Sequence, residues 1–162
     1  MGSDGPRFFI WKFLINISVM KLFFGLLLMS VWSSGQPAIV GKWVTVDDNT
    51  NEEKSVIEIF ESKGRYYGRI VKIFSADHPD PVCDKCPRDD NRYLKKIIGM
   101  EIIRGMKKEG EEYTEGNILD PEDGKIYRCK LWIEGAQLMV RGYWGPFYRT
   151  QTWRKSSWLY VF

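Results

Sequence analysis

Lys125-Ile126-Tyr127-Arg128-Cys129-Lys130-Leu131-Trp132-Ile133-Glu134, followed by Gly135-Ala136-Gln137-Leu138-Met139-Val140-Arg141-Gly142-Tyr143, is the stretch whose reading decides the fold. In its first half Tyr127, Cys129, Leu131 and Ile133 alternate with Arg128, Lys130 and Glu134. A period of two belongs to a β-strand with one face inward and one in water. Glu134-Gly135 then supplies turn chemistry, and a second extended run follows. In that run Leu138, Val140 and Gly142 alternate with Met139, Arg141 and Tyr143, and the pattern does not say which set faces inward.

Outward from this hairpin the chain repeats the same device. Strands are expected at Lys42–Val46, Ser55–Phe60, Tyr66–Phe74, Ile97–Met106, Tyr113–Leu119, Lys125–Glu134, Leu138–Tyr143 and Tyr148–Arg154. Lys63-Gly64 and Asp120-Pro121-Glu122-Asp123-Gly124 punctuate them. Short connections make successive strands antiparallel neighbours, and about eight of them close most economically into an up-and-down barrel without free edges. The fold expected is all-β, with no long helix in the part that follows residue 36.

Before that part lies a run from Phe8 to Trp32 that is apolar apart from a few polar positions, notably Lys12 and Lys21. Met20-Lys21 followed by Leu22 to Met29 has the basic start and apolar length of a signal peptide, with Ser33 and Gly35 as small residues ahead of a mature start at Gln36. Residues 1–35 are thus expected to be an export signal, one that could begin at Met20. The alternative is an uncleaved anchor, since the run is long enough to cross a bilayer. Residues 36–155 form the barrel and 156–162 a tail. The expected location is the periplasm or the exterior, where disulfides persist. Membrane contact is expected only through the first segment if it stays attached, because the strands are too charged outward to face lipid.

Arg7, Lys12 and Lys21 against Asp4 carry +2 of the net +3. The barrel is therefore nearly neutral and lacks the basic footprint of a nucleic-acid binder. No nucleophile elbow, phosphate loop or dinucleotide fingerprint occurs. His78 is the single histidine, which argues against histidine-based chemistry. No catalytic residues, cofactor or resident metal are expected, and an enzyme is unsupported.

One long connection, Ser75 to Lys96, carries Pro79, Pro81 and Pro87 and the pair Cys83-Asp84-Lys85-Cys86. A Cys-x-x-Cys pair can be a redox dithiol, which wants a helix N-terminus after a strand. It can also ligate zinc with His78, Asp77 or Asp80, although the second half of a four-ligand spacing is missing. The reading adopted is a disulfide between Cys83 and Cys86 that staples the loop, leaving Cys129 as a buried thiol. Asp47-Asp48, Glu52-Glu53 and Asp89-Asp90 lack calcium-loop spacing and read as solvated turns.

Gly41-Lys42-Trp43 at the first strand, with Arg149 or Arg154 in the last, resembles the Gly-x-Trp and Arg signature of lipocalin-like barrels. That resemblance implies a structural role, the Trp closing one end under a guanidinium. Asp47 to Thr50, Tyr66 to Val71, Asp80 to Cys86, Ile98 to Ile102, Asp120 to Tyr127 and Val140 to Arg154 together are similar to the bacterial domain-of-unknown-function family 2147. The similarity runs in order from about Val40 to Arg154 and implies an exported small barrel with no assigned activity.

An eight-stranded barrel either fills with side chains or holds one small ligand. Tyr67, Arg69, Tyr127, Arg141, Tyr143, Gln151 and Trp153 are the candidate ligand set, aromatic surface with a few convergent donors. The same residues can instead fill a dry core, or the arginines can lie outside along their stems. The function expected is binding of a small hydrophobic or amphiphilic ligand. The alternative is a filled structural or envelope-interaction module. Oligomeric state is not legible.

Overall fold

The computed structural model describes residues 38–74 and 81–157. The expected signal segment, the tail from Trp158 onward, and Asp77, His78 and Asp80 lie outside these residues. Eight strands form: β1 (Gly41–Val46), β2 (Glu53–Ser62), β3 (Arg65–Ile73), β4 (Glu101–Glu109), β5 (Glu112–Asp120), β6 (Lys125–Glu134), β7 (Gln137–Trp144) and β8 (Phe147–Lys155). Each pairs antiparallel with the next, and β1 pairs with β8 to close the barrel. No helix forms among the described residues.

β6 behaves as its alternation requires. Cys129 and Leu131 are buried inside, and Ile133 packs on the same core. On β7 the inward set is Leu138, Val140 and Gly142: Leu138 and Val140 are buried, and the register places Leu131 opposite Val140 and Cys129 opposite Gly142. β4 starts later than the expected Ile97, because Gly99 adopts a positive φ and Met100 donates back to the Ile97 carbonyl at 3.1 Å, a turn instead of a strand.

The end bearing the β2–β3, β4–β5 and β6–β7 turns is solid. Tyr66 meets Tyr113 edge to face with centroids 4.8 Å apart, and Ile59, Met106, Leu131 and Leu138 fill the space around them. Trp43 belongs to the same core, its Nε1 donating to the Ile39 carbonyl at 2.7 Å. The cation above Trp43 is neither Arg149 nor Arg154. It is Lys155, whose Nζ stands 4.4 Å from the ring centroid and donates to the Val40 carbonyl at 3.1 Å. Register explains the substitution: Lys155 lies directly opposite Trp43 across the β1–β8 seam. Arg154 reaches out to Asn51 at 3.5 Å, and Arg149 lies at the opposite end of the barrel.

The long connection is ordered over residues 81–100. Val82 bridges to Lys96, and Cys83 donates to Lys95 while accepting from Leu94, so the segment folds back as a small hairpin. Cys83 and Cys86 form a disulfide with Cα atoms 5.4 Å apart, the staple expected, so neither sulfur is free to ligate zinc. Lys85 donates to the Glu122 carbonyl at 2.9 Å, tying this loop to the β5–β6 turn.

Asp90 is not the solvated acid its sequence suggests. It holds Arg92, a buried guanidinium, through Nε at 2.9 Å and Nη2 at 2.7 Å, and Arg92 also donates to the Glu101 carbonyl at 3.2 Å. The bonds from Arg92 pull the Asp90 carboxyl down to about 2, below its usual range. A depressed folded value means stability that is fully present above the unfolded pKa and lost as pH falls through the folded one. Chemical denaturation between about pH 5 and about pH 2 should therefore lose roughly 1–2 kcal/mol from this pair. Asp90→Asn should flatten that step, and an unchanged step would assign the acid sensitivity elsewhere.

Candidate functional site

At the other end, where the β1–β2, β5–β6 and β7–β8 turns and the long connection meet, the side chains do not reach across. They leave a cup of about 580 Å³. The depth of the cup follows from strand alternation. Trp153 and Gln151 on β8, Val140 and Gly142 on β7, and Tyr127 on β6 point in, while Ile70 and Ile118 supply apolar wall from β3 and β5. Ile73, Ile97 and Ile102 extend that wall toward the long connection.

Polar groups gather toward the mouth. Lys54 binds Glu122 in an ion pair and lies 4.0 Å from Asp47. Arg149 binds Asp48, with Nε at 2.9 Å from Oδ2. Tyr127 donates its hydroxyl to Asp123 at 2.8 Å, and burial together with that bond pushes its pKa up to about 12. Asp120 accepts the Glu122 N–H at 2.9 Å. Partial burial, reinforced by the charges of Asp123 and Glu122, raises its carboxyl above the usual range despite that bond. Deeper down, Trp153 is fully buried and donates Nε1 to Gln151 Oε1 at 3.2 Å. Trp144 and Phe147 form an exposed aromatic lip beside the mouth, their rings 6.3 Å apart.

Residues 41–155, all eight strands, match the model of a family described as uncharacterized protein conserved in bacteria (DUF2147). The chain belongs to this family. A solved protein from the human pathogen Helicobacter pylori, HP1028, described as belonging to the lipocalin family, superposes with a TM-score of 0.62. It is 20% identical, over 73% of this chain and 82% of that one, so the likeness is one of fold. No curated protein matches.

Of the seven candidate ligand residues, this DUF2147 barrel brings Tyr127, Gln151 and Trp153 to the cup. The other four lie on the outer surface, for one geometric reason: their neighbours in the strand take the inward positions. Tyr67 and Arg69 flank inward Gly68; Tyr67 stacks on Phe60 with centroids 5.8 Å apart, and Arg69 bonds Glu58. Arg141 and Tyr143 flank Gly142. Arg141 donates to Thr150 at 2.8 Å and covers the Tyr148 and Trp132 rings at 4.4 and 5.0 Å, while Tyr143 sits against Tyr148. Asp120, Lys54, Val140 and Gly142 are cup residues that the pattern did not single out. Asp120 could have been reached by extending the alternation of β5 two residues past Ile118. Cys129 is inward and buried, and burial pushes its thiol up to about 12, so it is an inert thiol at neutral pH.

Proposed function

We propose that this protein is an exported carrier that binds one small hydrophobic or amphiphilic molecule in the barrel cup, with no chemistry of its own. The observation that carries the reading is the cup itself. Its volume of about 580 Å³ falls within the roughly 300–1,000 Å³ of ordinary ligand pockets. Its wall is mostly apolar, with isoleucines as its commonest residues and ionic groups concentrated at the mouth, the arrangement that suits an apolar chain with a polar head. A barrel serving only as a packed scaffold would have no need of this space, since interiors ordinarily close to near-crystalline density. Export is supported by the Cys83–Cys86 disulfide and by the hydrophobic front of the sequence.

A homologous series of straight-chain alcohols, competing against an environment-sensitive dye, tests the reading. Each added methylene buried in the cup contributes roughly 0.8 kcal/mol. Affinity should thus climb about fourfold per carbon until the chain outgrows the cup and then level off. A flat series would remove the ligand-binding reading. For export, the N-terminus of protein recovered outside the cytoplasm is expected at Gln36; protein found only in the cytoplasm would refute it.

A further inference from the structure

The mouth of the cup is unevenly charged. Lys54 and Arg149 are its lining cations, and both are engaged, Lys54 with Glu122 and Asp47 and Arg149 with Asp48. Of the lining carboxylates, Glu122 is held by Lys54. Asp120 is different. It stands two residues beyond inward Ile118 on β5, so the strand aims it into the same space. One oxygen accepts the Glu122 N–H, and among the described residues Asp120 has no ion pair. The charged groups around it are Glu122 and Asp123 from its own turn, Lys54 from β2 and Arg149 from β8; the Tyr127 hydroxyl is turned to Asp123.

A carboxylate held in partly apolar surroundings, with nearby cations that are each engaged by another acid and no ion-pair partner of its own, is costly. A cationic ligand head would relieve that cost, whereas a carboxylate or phosphate head would meet Asp120 and find both cations already bound. To accept an anion, the mouth would have to break the Lys54–Glu122 or Arg149–Asp48 pair, a penalty that selects against it.

We propose that Asp120 is the head-group anchor of the cup and that its ligands are cationic amphiphiles, an apolar chain lying along the isoleucine wall with a protonated amine at the Asp120 carboxylate. This rests on the cup being a ligand site. Dodecylamine, dodecanol and dodecanoate, which share one chain length, separate the two ideas by competition against the same dye. The amine should bind roughly tenfold tighter than the alcohol, the gain of one charge-assisted contact, and the acid more weakly than either. Asp120→Asn should bring the amine down to the alcohol, the ratio being taken within each protein. Lowering the pH of the unaltered protein through the raised Asp120 pKa should collapse the same ratio, a second readout that holds should the variant fail to fold. Dodecanoate binding as tightly as the amine, or a ratio unmoved by both the substitution and pH, overturns the head-group assignment while leaving the carrier reading intact. Failure of all three probes to bind overturns both.

Discussion

Gly124→Ala is expected to destabilise the barrel by about 3 kcal/mol or more, against about 1 kcal/mol for Gly135→Ala. The two glycines close successive hairpins, β5–β6 and β6–β7, and both are left-handed, with φ of +74° and +60°. Each alanine therefore carries the same kind of backbone strain. What differs is the surroundings. A Cβ at Gly135 would meet nothing within 4 Å, whereas one at Gly124 would fall 1.8 Å from the Lys85 carbonyl oxygen and 2.4 Å from its carbon. Those atoms are backbone, held by the Cys83–Cys86 disulfide and by the Lys85 bond to the Glu122 carbonyl. They cannot rotate away as a side-chain tip would, so the stapled loop must lift. Lifting it uncovers Cys83 and Cys86, which are 0% and 3% exposed. Urea unfolding of the two variants side by side measures the difference. Equal costs would mean that the loop is not seated on the β5–β6 turn.

Legibility of the inward face held wherever charged residues marked the outer one. On β6, Arg128 and Lys130 mark the outside, and Cys129 and Leu131 follow inward. It failed where aromatic residues lie outside. Tyr143 looks like a lumen residue by composition, yet it joins Trp132 and Tyr148 in an aromatic patch associated with Arg141. A guanidinium over a ring replaces burial inside a core, and period two alone cannot distinguish the two solutions. Strand phase is also reset by irregularities invisible in composition. The β2–β3 register slips between Val56 and Ile57, and Glu115 adopts a φ of 62° where the β5–β6 register jumps from Tyr113 to Gly116. Such bulges reverse which residues face in. The Trp43 pairing shows a further limit. A small motif identified the tryptophan, but only the seam register shows that Lys155 is its cation. Asp120 was hidden for another reason: Asp-Pro-Glu-Asp-Gly reads as a turn, and its first residue is both the last of β5 and part of the cup.

Gly142→Trp is expected to abolish binding of alkyl probes, with affinity down roughly a hundredfold, while leaving the melting temperature unchanged or raised. Gly142 lies between Val140 and Trp144 on the lumen face of β7. A Cβ there would sit 3.4 Å from Tyr127 Cβ and 4.0 Å from Ile118 Cγ2, ordinary contact, and the backbone needs no left-handed conformation. The Cβ therefore fits, and the space beyond it is the cup, at the level of Ile118 and Tyr127. An indole there would displace ligand from the apolar wall and replace the methylene burial on which affinity depends. It would also remove a strand-interior glycine and fill apolar space, and both changes favour the fold. Dye competition and thermal melting on the same sample read the two effects separately. If alkyl probes bind the variant as well as the original protein, they do not lie along the Ile118–Tyr127 wall, and the exposed Trp144–Phe147 lip at the mouth becomes the place to look. If binding and melting temperature fall together, the substitution has damaged the barrel. Loss of binding with stability retained assigns the ligand to the cup.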